Sequence, residues 1–174
     1  MWLFDFLFGR KNKQDETEGR RSANSGQAPG TQIFYSPDLI SQLKEDHQRL
    51  LKIFGQVKDS FARNDLEATA EYLEEFRSEI LAHLLTENVR FYVYLERTLR
   101  REDQENFNLV RHFRHEMDEI GKSVLDFFSK YQSIARKPRL ALSFGKDLKD
   151  VGAILVERIR REEETLYPLY MPVS

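Results

Sequence analysis

The run HLLTE sets His83 and Glu87 four residues apart. That spacing stacks an imidazole and a carboxylate on one face of a helix, where the two can share a cation. One such pair carries little weight alone, because a single buried histidine more often just hydrogen-bonds a neighbour. Its weight comes from company. His47, in EDHQRLL, and the pair Arg158 and Glu162, in RIRRE, fall in lines of apolar residues spaced by threes and fours. The periodicity that buries the leucines therefore buries these groups too. A carboxylate or guanidinium taken out of water without a partner is strongly destabilising, so such groups gather in one core only when they satisfy each other or an ion.

The elements that must position them are four helices. The first follows Ser36, Pro37 and Asp38, a start signal in which Ser36 can cap and Pro37 suits the first turn, and carries Leu39, Leu43, Leu50, Phe54, Val57 and Phe61 with His47 in the gap. Asp65 is placed to cap the second, which runs to about Arg101 with Leu73, Phe76 and Ile80 leading into His83 and Glu87, then Phe91 or Tyr94. The third, roughly 103–136, has an unbroken line of Val110, Phe113, Met117, Ile120, Val124, Phe127 or Phe128, and Tyr131. Beyond Pro138 the fourth carries Leu140, Phe144, Leu148, Val151 and Leu155, then Arg158 and Glu162, then Leu166. Short connections and no strand-like alternation specify an all-α, antiparallel four-helix bundle over 33–174.

Composition narrows the function. The chain has 174 residues and a formal charge of −2, which fits one domain with an appendage and gives no sign of a nucleic-acid binder. It has no cysteine, which removes disulfides, thiolate metal sites and cysteine nucleophiles, and agrees with a cytoplasmic location. No nucleophile arrangement or phosphate-binding glycine loop occurs, so catalysis has little to stand on. Residues 1–13, MWLFDFLFGRKNK, join an apolar aromatic cluster to a basic one. They suit a peripheral anchor on an anionic membrane surface, such as the inner membrane, or a peptide packed on the bundle or a protein partner. Residues 14–32 have the polar, glycine- and serine-rich composition of a flexible linker. The aromatic stretch from Arg90 to Glu102 is expected to be covered by the N-terminal segment or the LYPLYMPV tail, or else to meet a partner.

The histidine of EDHQRLL, the HLLTE pair and the RREEETLYP run together resemble the hemerythrin or HHE cation-binding family. The resemblance covers about Ile33 to Tyr170. It implies a bundle that holds two irons through one histidine from each of helices one and three and a HxxxE from each of helices two and four. Carried over, it makes His47, His83, Glu87 and Glu162 metal ligands. Two positions depart: Arg158 stands where the fourth helix should carry histidine, and Met117 stands where the third should. His112 and His115 fall well off the apolar face of the third helix and are expected to face water. A guanidinium coordinates nothing and a thioether suits iron poorly.

Two readings follow. In the first, Arg158 replaces the cation, bonding Glu87 and Glu162, with His47 and His83 completing the network, and the protein is a non-catalytic bacterial regulatory or interaction protein, without metal and associated with the membrane through 1–13. In the second, His47, His83, Glu87 and Glu162 hold one divalent metal such as iron, zinc or manganese, and the protein senses or binds oxygen, nitric oxide or iron.

Overall fold

Leu39, Leu43, Leu50, Ile53 and Val57 recur at threes and fours, and α1 (Leu39–Ala62) follows that stripe, burying them with His47. The computed structural model describes residues 26–172, so the segment 1–13 and most of the linker lie outside it. The Ser36 side chain does not cap α1; the backbone instead makes a turn in which Leu39 N–H bonds the Ser36 carbonyl at 3.1 Å, and Asp38 is the boundary residue. Asn64 reverses the chain after α1 with φ 58°, a left-handed conformation that asparagine tolerates better than most residues. Asp65 then caps α2 (Leu66–Thr86) as its position suggests, accepting from Ala68 N–H at 3.0 Å.

The second rod is not one uninterrupted α-helix. After Thr86 it opens into a π-helical turn, Glu87–Tyr92, and resumes as α3 (Val93–Glu102). Asp103 caps α4 (Gln104–Tyr131), accepting from Asn106 N–H at 3.0 Å. A short 3₁₀ turn, Pro138–Leu140, leads to α5 (Ala141–Arg161), which passes into a second π-helical turn, Glu162–Leu166, and a 3₁₀ turn, Tyr167–Leu169. The described residues thus form four helical rods joined by short connections, an arrangement that makes sequential rods antiparallel neighbours.

Two apolar clusters fill the bundle. One gathers Leu50, Val57, Phe76, Phe127, Phe144 and Leu148 with their neighbours; the other gathers Leu39, Leu43, Phe91, Leu95, Val110 and Leu166 with theirs. Three of the four rods cross from one cluster to the other at a polar residue: His47 lies between Leu43 and Leu50, Glu87 between Leu84 and Phe91, and Glu162 between Leu155 and Leu166, while α4 passes from Phe113 to Met117 without one in its buried line. The polar groups occupy the waist, with dry packing above and below.

The second cluster is closed by chain termini. Residues 26–35, of which 26–32 have linker-like composition, make a tight antiparallel turn with Tyr35 N–H on the Gly26 carbonyl at 2.6 Å and Ala28 N–H on the Ile33 carbonyl at 2.8 Å. Gly26 at φ 102° and Gly30 at φ 70° supply the left-handed conformations this turn needs. Tyr35 stacks on Tyr170 with centroids 5.0 Å apart, Ser36 N–H donates to Tyr170 Oη at 3.0 Å, and Tyr94 Oη donates to the Met171 carbonyl at 2.9 Å. The tail and this turn therefore cover Phe91, Tyr94 and Leu95, which are fully buried.

Helix α5 approaches α1 closely at Gly152. A Cβ there would come within 2.4 Å of the Phe54 ring. Gly152→Ala is expected to lose up to about 2 kcal/mol net, because overpacking of about 1–3 kcal/mol offsets or exceeds the roughly 1 kcal/mol that alanine gains in a helix. Adding Phe54→Leu should restore much of that loss. Urea unfolding of the single and double variants checks both expectations.

Candidate metal centre

At the waist, α1 supplies His47, α2 supplies His83 at its last turn, and the two π-helical turns supply Glu87 and Glu162 as their first residues. All four are buried, with Glu87 fully so. His47, His83 and Glu162 bring ligand atoms within 4.8 Å of one another, close enough for one ion to touch all three. Glu87 Oε2 lies 4.0 Å from His83 Nε2. Three of the four sequence-predicted ligands thus meet in one place, with Glu87 beside His83.

Arg158 is also buried there, and its five donors are well used. Nε donates to Glu162 Oε1; Nη2 donates to Tyr92 Oη at 2.6 Å and to the Phe113 carbonyl at 2.9 Å; Nη1 reaches Glu116 Oε2 at 3.3 Å. The guanidinium also lies over the Phe113 ring at 4.7 Å. The expected bond from Arg158 to Glu87 is not formed. Tyr92 takes the donor that would have made it, because the π-helical turn rotates that phenol into the site. Glu87 instead accepts from Tyr167 Oη at 3.3 Å through Oε1, and its Oε2 has no hydrogen-bond partner.

Tyr92 and Tyr167 are the functional neighbours that sequence reasoning missed. Each lies five residues beyond its glutamate, in HLLTENVRFY and RIRREEETLY. In an α-helix five residues turn about 500°, which leaves the side chain about 140° from the glutamate's face. A π-helical turn, bonded i to i+5, brings both to one side. The signal was the repeated spacing itself, glutamate then tyrosine five residues on, in both rods.

Two more carboxylates stand behind the histidines. Glu163 Oε1 sits 2.8 Å from His47 Nδ1, and Asp46 Oδ2 lies 3.7 Å from His83 Nδ1. A carboxylate behind Nδ1 favours the tautomer that carries its proton there and leaves Nε2 free, the orientation found in metal-ligating histidines. Both Nε2 atoms here face the cluster: His47 Nε2 is 3.4 Å from Glu162 Oε2 and 3.3 Å from Tyr167 Oη. His83 Nδ1, at that longer distance from Asp46, makes no hydrogen bond.

The substituted positions behave differently from these. Met117 is buried beside the larger apolar cluster. His112 and His115 are 65% and 75% exposed in their side chains, on the outer face of α4, as their register requires. Of the positions implied by the resemblance, the set built from α1, α2 and Glu162 is intact, and the set that would use Met117 and Arg158 is closed.

Electrostatics match this division. Burial weakens the charged form of His47, but hydrogen bonds to Glu162 and Glu163 outweigh it and hold the imidazole above its ordinary value. Burial, then the neighbouring His47, lowers His83 to about 4, so it is neutral at pH 7 with a lone pair to offer. Burial and repulsion from Glu162 push Glu87 well above the carboxylate range, more than Arg158 offsets. Glu162 is held low: its burial is outweighed by the His47 hydrogen bond and the Arg158 charge. Arg158 and His47 both serve Glu162, which leaves Glu87 to keep its proton, and a divalent ion is a group that could replace that proton. The orphaned Glu87 Oε2 and the two inward Nε2 atoms fit such an ion.

A helical bundle with a buried His/Glu cluster between helices defines a class of metal-competent proteins. The family model described as the hemerythrin HHE cation binding domain matches residues 38–170, and the chain belongs to that family. No curated protein and no solved structure matches the chain.

The shifts fix how the metal-free protein should respond to alkali. His47 is raised above 6.5, so the stability it lends is complete below that value and is lost as pH rises through its folded value. Glu87 acts in the same direction, since above 4.5 the unfolded chain ionises it and the fold resists. His83, lowered to about 4, and Glu162, lowered from 4.5, have made their full contributions once pH exceeds 6.5. In the presence of chelator the urea midpoint is expected to fall as pH rises above 6.5. A midpoint that holds or rises with pH above that value contradicts the assignment.

Proposed function

We propose that this chain binds a single divalent metal ion, of the ferrous iron class, at His47, His83, Glu87 and Glu162, while Arg158 fills the place of a second ion. The observation that carries the reading is the fully buried Glu87 Oε2, which lacks a hydrogen-bond partner and lies 4.0 Å from the Nε2 of His83, itself one of the three residues, with His47 and Glu162, whose ligand atoms cluster. Two nitrogens and two carboxylates suit iron, manganese or zinc. A bound ion would supply positive charge to the waist and, as iron, open positions for a small ligand or for one-electron exchange. The chain's own part is to orient: Glu163 sets the His47 tautomer, Tyr167 holds Glu87, and Arg158 fixes one oxygen of Glu162 so that the other is presented. The apolar clusters on both sides keep water from competing.

Anaerobic titration of the full chain with Fe(II), Mn(II) and Zn(II), with elemental analysis, tests the reading. One equivalent per chain is expected, with release of protons from Glu87 and His47, and affinity should therefore fall as pH is lowered. Glu87→Gln should weaken binding strongly while leaving the fold intact. Arg158→His combined with Met117→His should raise the stoichiometry toward two. No metal bound by the native chain under any of these conditions would return the site to the reading in which Arg158 is a permanent substitute for the cation.

The role we propose around this site is regulatory and non-catalytic, in the cytoplasm, with residues 1–13 attaching the protein to an anionic membrane surface or a protein partner. Its support is compositional: Trp2, Leu3, Phe4, Phe6, Leu7 and Phe8 precede Arg10, Lys11 and Lys13. Among the described residues no helix is long and apolar enough to cross a membrane. Co-sedimentation with anionic liposomes should be seen for the full chain, should weaken with salt, and should disappear when residues 1–13 are removed. Equal sedimentation of both forms counts against the anchor.

A further inference from the structure

The turn and tail that close the second apolar cluster direct two large apolar side chains outward. Tyr35 points inward to stack on Tyr170 with centroids 5.0 Å apart, so Phe34, its neighbour in an extended stretch, points the other way. Tyr170 has extended backbone as well, and Met171 follows it outward. Because their neighbours stack, Phe34 and Met171 share one outer face. Phe34 is 51% exposed and Met171 64%, and large apolar groups exposed together mark a contact surface.

Cations bracket this face. Tyr94 Oη donates to the Met171 carbonyl at 2.9 Å, which places Met171 over α3, and Arg97 stands about one helical turn beyond Tyr94. On the other side, Arg90 lies near enough to Tyr170 for its charge to offset part of the burial that raises that phenol. Arg90 and Arg97 are both exposed, and no carboxylate among the described residues pairs with either. Arg111 faces Arg97 across a groove whose one acid, Glu96, is held by Arg114 at 2.6 Å. Unpaired arginines around exposed apolar tips have the composition of a surface that meets anionic headgroups, the tips entering the acyl boundary and the guanidinium groups holding phosphate.

The chain itself points to a membrane as the occupant. Tyr35 N–H bonds the Gly26 carbonyl at 2.6 Å, so residues 1–25 lead away from this same face. Residues 14–25 reach at most about 40 Å even fully extended, which keeps the face close to any surface that residues 1–13 enter. A single short attachment signal gives marginal, reversible binding, and stable attachment takes a second. A face tethered that close binds as an intramolecular event, for which weak contacts suffice.

We propose that the face centred on Phe34 and Met171, with Arg90 and Arg97 at its edges, docks on the surface of an anionic phospholipid bilayer and orients the bundle there. The inference rests on the reading of residues 1–13 as the anchor and adds a second contact to it. The first apolar cluster and the start of α5 then point away from the bilayer.

The chain has no cysteine, so single introduced cysteines can carry an environment-sensitive fluorophore. Phe34→Cys, Met171→Cys and Leu142→Cys of the full chain are labelled with nitrobenzoxadiazole and mixed with vesicles of phosphatidylcholine, with or without phosphatidylglycerol. Leu142, 90% exposed at the start of α5, is the control. The labels at 34 and 171 are expected to shift to the blue with anionic vesicles only, and the label at 142 to stay unchanged. Arg90→Gln combined with Arg97→Gln should weaken partitioning of the full chain about tenfold and diminish both responses. Vesicle binding with silent labels at 34 and 171 overturns this proposal and leaves the anchor standing, whereas no binding by the full chain overturns both. An equal response at 142, or unchanged partitioning of a folded arginine variant, overturns the docking face. So does a blue shift without vesicles that grows with protein concentration, which marks contact between copies, or one that vanishes when residues 1–13 are removed, which marks that segment as the cover. If the arginine variant does not fold, the labels decide.

Discussion

Glu162 is held by two cations of different kinds, and the rest of the site follows from that. Its Oε1 takes the Arg158 Nε–H and its Oε2 faces His47 Nε2 at 3.4 Å. The guanidinium keeps its charge at any physiological pH, whereas the imidazole does not. One oxygen is therefore permanently neutralised and the other only conditionally. If His47 gives up its Nε2 proton, the buried negative charge of Glu162 Oε2 faces a lone pair, and a metal ion would satisfy both. Burial makes this exchange consequential, because unpaired charge is far more costly at the dry waist than it would be at the surface.

The two π-helical turns impose the second constraint. Each widens its rod at the glutamate, so the next residues on the inner face come in adjacent pairs, Phe91 with Tyr92 and Leu166 with Tyr167, all four buried. All four belong to the second apolar cluster, and the phenolic member of each pair also reaches the polar groups. The geometry is reciprocal: Tyr92, on the second rod, accepts from Arg158 on the fourth, and Tyr167, on the fourth, donates to Glu87 on the second. An unbroken α-helix would carry both hydroxyls off the site, leaving Arg158 free to bond Glu87. Local helix widening thus decides which carboxylate the arginine neutralises.

This explains what could be read from the sequence and what could not. Periodicity placed His47, His83, Glu87, Arg158 and Glu162 correctly because α-helical spacing holds up to each glutamate. It also put His112 and His115 outside, where they are. It failed one residue later, since no local propensity marks the π turns, and with them went the roles of Tyr92 and Tyr167 and the partner of Arg158. Asp46 and Glu163 were visible only as surface-type charges next to ligands; their position behind the imidazoles depends on how α1 and α5 pack. The ordered turn over 26–35 was hidden by a composition that suits a linker, although Tyr35 stacks on Tyr170 of the tail and Ala28 is buried in the same apolar cluster.

Charge balance argues for one ion and against two. With Arg158 in place, a divalent ion beside ionised Glu87 and Glu162 and a neutral His47 would leave the waist with a net single positive charge. Glu163 and Asp46, half-exposed behind the histidines, lie close enough to moderate that charge. A second divalent ion with no new carboxylate would leave three uncompensated positive charges among leucines and phenylalanines, a state burial would oppose strongly. It would also need ligands where Met117 offers a thioether. Arg158 cannot leave readily, since its departure would strip donors from Glu162, Tyr92 and the Phe113 carbonyl together. In the proposed site the arginine would stand for half of the centre electrostatically and, by doing so, would limit the other half to a single ion.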